Sequence, residues 1–199
     1  MNNKLKIATI ITLLVAASVG ITVLSESPQI AQPASSPTVK LLNAELLDQN
    51  GTQVRFASDI VGDRIVALNF IYTDCSTTCP VVSAIFSKLQ SQLGNKLQQD
   101  VRLVSLSINP ATDTPEKLKA YAERFHAQPE WRWLTGEKAQ VDALLKGLGV
   151  YNTDYTSHAP VILVGDPVSG EWTRFNGLTS PETIAARIDE LRAARNEKH

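Results

Sequence analysis

Apolar and polar positions follow two alternating rhythms along most of this chain. Residues 65–71 form a run dominated by apolar side chains and predict a buried strand. From Pro80 the period changes. Val81, Val82, Ile85, Phe86, Leu89 and Leu93 recur at helical spacing, and Pro80 suits the first helical turn, where its missing N–H would have had no partner. Residues 101–108 alternate apolar with polar and predict a second strand. Thr114-Pro115-Glu116 then supplies an N-cap and a proline for a helix reaching about His126. Residues 130–134 read as a short strand, and 137–148 as a helix stopped by Gly149. Residues 161–164 are a further apolar strand, turned by 166–170 into 171–175. Ser180-Pro181 opens a last helix with Ile184, Ile188 and Leu191 on its core face. Upstream, 40–47 and 53–56 predict a hairpin around Asp48-Gln49-Asn50-Gly51, with Asn-Gly supplying the positive φ angles of a tight turn. There is no internal repeat. Strands alternating with helices predict an α/β sandwich around a small mixed sheet.

The first 38 residues follow a different pattern. Lys4 and Lys6 precede an uncharged run over 7–24, long enough to cross a hydrocarbon core as a helix, and Ser25-Glu26-Ser27 follow it. Positive charge before the span predicts a cytoplasmic tail at 1–6, a transmembrane anchor at 7–24 and everything beyond it outside. A cleaved signal peptide is the competing reading; the absence of an Ala-x-Ala site favours the anchor. Residues 25–38, with Pro28, Pro33 and Pro37, predict a semi-extended tether ahead of a folded domain over 39–199.

Charge and cysteine content narrow the chemistry. With 19 basic and 20 acidic residues among 199 and no basic cluster with interleaved aromatics, nucleic acid is an unsuitable partner. Cys75 and Cys79 are the only cysteines, too few for a disulfide framework. They stand between the 65–71 strand and the helix after it. A helix N-terminus favours anions, so it lowers a thiol's pKa there. The C-x-x-x-C spacing lets the two sulfurs meet, either to close a disulfide or to hold a soft metal ion. In open α/β sheets this carboxyl edge of the strands is where chemistry is usually placed.

Four separated segments resemble the Sco/SenC family in order and spacing. They are Y-T-x-C-x-x-x-C-P at 72–80, S-x-N-P-x-x-D-T-P-E at 107–116, W-x-x-L-T-G at 131–136 and H-A-P-V-I-L-V-G-D at 158–166. The resemblance covers about residues 39 to 195. It implies a thioredoxin-like three-layer sandwich behind an N-terminal membrane helix, in the periplasm of a bacterial-type inner membrane. It also implies copper delivery to the binuclear copper site of cytochrome c oxidase, with Cys75, Cys79 and His158 as the ligands. Two thiolates and an imidazole are a soft donor set suited to copper. His126 and His199 read as a helix-end residue and a tail residue, and Trp131, Trp133 and Trp172 as core packing.

The resemblance also implies a cis Ala159-Pro160 bond facing the dithiol. Three positions depart from the family pattern: Asn109 replaces the usual Asp, Ser76-Thr77-Thr78 replaces a loop with Pro or acidic residues, and Ala159 follows the histidine where Ser or Thr is usual. Asp74, Asn109 and Asp113 read as surface or loop-capping residues.

Three functions remain open on this reading. A copper-delivering assembly factor uses both cysteines and His158. A thiol-disulfide reductase of partner disulfides needs Cys75 to attack and Cys79 to resolve, and no histidine. A peroxidase ranks last, because Tyr72 occupies the place three residues before Cys75 where those enzymes carry Thr or Ser.

Overall fold

The computed structural model describes residues 37–154 and 159–197. The anchor and almost all of the tether predicted from the sequence, His158 and His199 lie outside the described residues, and among these no helix is long and apolar enough to cross a membrane.

Seven strands form one mixed sheet: β1 Glu45–Asp48, β2 Gln53–Arg55, β3 Ile65–Ile71, β4 Val101–Ser107, β5 Trp131–Thr135, β6 Val161–Asp166 and β7 Glu171–Asn176, in the order β2-β1-β5-β4-β3-β6-β7. β3, β4 and β5 are parallel; β6 runs antiparallel to β3, β7 to β6, and β1 to both β2 and β5. The helices are α1 Thr78–Leu93, α2 Lys96–Gln99, α3 Pro115–Arg124, α4 Lys138–Gly147 and α5 Pro181–Asn196, with a π-helical segment at Phe56–Val61.

Every residue of β3 and β4 is buried because both faces of the sheet are covered. Ile65, Ala67 and Ile71 face a core built with Phe86, Leu89, Leu118, Trp131, Trp133, Ile184 and Ile188; Val66, Leu68 and Phe70 face a second core with Phe56, Val141, Leu144 and Trp172. This makes three layers, and the fold is the predicted sandwich. Thr114 and Ser180 cap α3 and α5 as expected, their hydroxyls accepting from Lys117 N–H and Thr183 N–H at 3.4 and 3.2 Å.

Two local expectations are corrected. In the hairpin only Gly51 has positive φ (77°), not Asn50. The turn is longer than a two-residue one because the buried Asp48 carboxylate accepts from Asn50 and Thr52 N–H at 2.8 and 2.9 Å, closing it from inside. The Ala159–Pro160 bond is trans, as is every peptide bond among the described residues. Trans is the intrinsically favoured isomer, and in this geometry Pro160 both lines the cavity beside Cys79 and gives its carbonyl to Gly177 N–H at 2.8 Å.

Candidate metal and thiol site

The carboxyl ends of β3 and β4 and the start of β6 share one edge of the sheet, and Ile108 N–H donates to the Ile71 carbonyl at 2.8 Å, extending the parallel pairing past the strands. Cys75, Cys79, the 108–114 loop and Pro160 belong to this edge. Helix α1 begins at Thr78, so Cys79 lies in its first turn and Cys75 just ahead of it. Thr77, at the N-cap position, makes no side-chain cap; instead the Cys75 sulfur accepts from Cys79 N–H at 3.3 Å. A sulfur thus replaces the usual oxygen at a helix start that lacks an acidic residue.

Both cysteines are 6 % exposed and unlinked by a disulfide, yet their thiols are driven in opposite directions. Burial acts most strongly on Cys75 and pushes it up. The bonds to its sulfur from the Cys79 thiol and N–H and from the Thr77 N–H and hydroxyl together prevail, bringing it down to about 6. For Cys79, burial, the hydrogen bond to Cys75 and the negative charge of Cys75 and Asp113 raise the thiol to about 12. The helix-start effect expected from the sequence therefore falls on Cys75 alone. In the reduced protein, Cys75 alkylation is expected to rise through pH 6 and level off near neutrality, with Cys79 unreactive; mass spectrometry of iodoacetamide-labelled protein checks this. A half-maximal rate near the ordinary thiol value of about 8.5 would contradict it.

A cavity of about 20 Å³ opens beside Cys79, lined by Tyr72, Thr77, Thr78, Ile108 and Pro160 among others. It has room for about one water-sized ligand. Among the described residues no third His, Cys, Asp or Glu joins the two cysteines in a metal-holding group. Pro160 reaches the site, and His158 stands two residues before it in the chain. Beneath the dithiol, the buried Tyr121 phenol is pushed up to about 12, first by burial and against a nearby Ser83 hydroxyl, with both sulfurs adding to the rise.

Asp113 and Asn109 are not surface residues. Asp113 is 1 % exposed: Oδ1 accepts from Thr73 N–H at 3.1 Å and Thr73 Oγ1 at 2.6 Å, and Oδ2 accepts from Ser107 Oγ at 2.6 Å. Ser107 Oγ in turn accepts from Asn109 N–H at 3.1 Å, and Asn109 Nδ2 donates to Thr112 Oγ1 at 2.7 Å. Asn109 thus caps its own loop. Asp74 is exposed. The signal missed in the sequence was Ser107, a hydroxyl at the end of an otherwise buried strand, followed six residues later by a carboxylate.

Residues 40–193 match the SCO1/SenC family model. The chain belongs to the SCO1/SenC family. A SCO1 protein homolog of Bacillus subtilis is 36 % identical over 90 residues, 45 % of each chain, so this chain aligns with about half the length of such curated relatives. Among solved structures, BsSco, described as a Sco-family cytochrome c oxidase assembly protein with a disulfide switch, superposes with a TM-score of 0.65 at 24 % identity over 79 % of this chain and 96 % of that one. Yeast Sco1 with copper bound superposes with a TM-score of 0.62 at 20 % identity, covering 84 % and 94 %. At these identities the superpositions establish the thioredoxin-like Sco fold.

Proposed function

We propose that this protein binds copper through Cys75, Cys79 and His158 and delivers it to the binuclear copper site of a cytochrome c oxidase or to another cuproprotein. Residues 7–24 hold it in a bacterial-type inner membrane, and 25–38 let the domain swing in the periplasm. The observation that carries the reading is the dithiol itself. The Cys75 thiol is brought down to about 6, its sulfur accepts from Cys79 N–H, and Cys79 borders a small cavity at the edge reached by Pro160. Soft thiolates select copper over harder ions, and the protonated Cys79 must give up its proton as the metal enters. The copper-bound yeast relative and the oxidase-assembly description of BsSco support the same assignment.

The unequal thiols also favour a second reading. Cys75 thiolate attacks a partner disulfide, forming a mixed disulfide and releasing one partner thiolate. Cys79, losing its proton, displaces the other, leaving the partner dithiol reduced and Cys75–Cys79 oxidised. Mixing copper-loaded, reduced protein with the reduced, copper-free copper-site subunit of an oxidase tests the first reading. Copper is expected to leave the chain and appear on the subunit, and a Cys79→Ser variant to transfer none. Copper retained by the chain, with the unloaded, reduced form instead reducing the disulfide of the oxidised subunit in a parallel reaction, would establish the second.

A further inference from the structure

We propose that Asp113 is the positioning residue of the dithiol, fixing the 72–77 loop so that the Cys75 sulfur is held against Cys79. The proposal rests on Cys75 and Cys79 being the reactive pair, and not on which metal or partner they serve.

The loop is short and its middle is exposed: Asp74, Ser76 and Thr77 all face solvent. Locally, Cys75 N–H donates to the Tyr72 carbonyl at 3.2 Å and closes a turn. Such a turn sets the loop's shape but not its place relative to the sheet. Placement comes from Thr73, whose N–H and hydroxyl both donate to one oxygen of Asp113, forty residues further along the chain. The other oxygen of Asp113 is held by Ser107 at the end of β4, the strand paired with β3. The carboxylate therefore ties the thiol loop to a rigid, fully buried strand. Asp113 is itself held, its N–H donating to the Asn109 carbonyl at 3.0 Å and the next residue, Thr114, capping α3.

A carboxylate suits this place because it only accepts, and all three groups that reach it donate. Charge-assisted bonds of this length are about twice as strong as neutral ones. A purely structural anchor would change unfolding alone. A positioning anchor changes how often the two sulfurs come together, and this is read as the equilibrium of protein dithiol plus oxidised glutathione with protein disulfide plus two reduced glutathiones.

Full-length protein in detergent, equilibrated in glutathione buffers at one fixed pH, provides the test. Asp113→Ala is expected to lower this equilibrium constant about tenfold, the equivalent of one charge-assisted bond. Thr73→Val, which keeps the N–H and loses the hydroxyl, is expected to lower it about threefold. Asp113→Asn keeps an oxygen for Thr73 but loses the charge, and is expected to lie between the Asp113→Ala value and the original. An unchanged constant in folded Asp113→Ala overturns the proposal, and so does an Asp113→Asn value as low as that of Asp113→Ala, since the carboxylate would then act by charge. If Asp113→Ala does not fold, Thr73→Val decides, and no change there is equally fatal. Failure of the wild-type chain to form any intramolecular disulfide would remove the reactive pair itself, a result distinct from the others.

Discussion

Replacing Gly165 with alanine is expected to destabilise the domain by about 3 kcal/mol, at the upper end for overpacking a close-packed core. Gly165 sits in β6 directly opposite Trp172 of β7, and three ring atoms of Trp172 lie closer than 3.0 Å to the position a Cβ would occupy. The indole cannot simply swing away, because it is buried in the core beneath β6 and β7. Accommodation requires either an off-rotamer tryptophan or separation of two strands whose pairing runs from Val161↔Asn176 to Asp166↔Glu171. For a domain of this size the melting temperature should fall by about 6–12 °C. Thermal unfolding followed by far-UV circular dichroism checks it, and a melting temperature within about 2 °C of the original, less than 1 kcal/mol of change, would show that the ring has room to move.

Much of the fold could be read from local sequence because its determinants are local. The apolar stretch at 65–71, the Thr-Pro and Ser-Pro helix starts and the helical spacing after Pro80 each specify an element without reference to the rest of the chain. Where side chains obtain their meaning from distant partners, local pattern says less. The alternation in VRLVSLS identifies a strand but does not show that β4 is buried throughout. Its polar residues are there for specific bonds: Arg102 donates to the Asp59 and Ile60 carbonyls at 2.9 and 2.7 Å, Ser105 accepts from Trp131 Nε1 at 2.9 Å, and Ser107 holds Asp113. The π-helical segment at Phe56–Val61 has no periodic signature of its own, and Arg102 caps its end from another strand.

The candidate site divides along the same line. The strand–cysteine–helix order placed Cys75 and Cys79 correctly at the start of α1. It could not show that one thiol is pulled down and the other pushed up, because that difference arises from which sulfur accepts Cys79 N–H and which feels the negative charge of Asp113. Exposure of Asp113 was misjudged for a related reason. A carboxylate in a Pro-rich loop looks solvated until Thr73 is brought to it from forty residues upstream.

The largest functional effect is expected at the cysteines. Cu(I) prefers thiolate, and a serine hydroxyl at either position would replace a soft anionic donor with a hard neutral one. Cys75→Ser also removes the acceptor for Cys79 N–H at the start of α1. Each serine variant should therefore lose stoichiometric binding altogether, whereas His158→Ala, which leaves both thiolates, should weaken it. The measurement that tests the copper assignment most directly is Cu(I) titration of the reduced full-length protein against a chromogenic chelator, beside Cys75→Ser, Cys79→Ser and His158→Ala. The account predicts one tight equivalent, abolished by either serine and weakened by the alanine. No stoichiometric binding, or binding indifferent to His158, would contradict it and leave the dithiol as a disulfide-exchange centre.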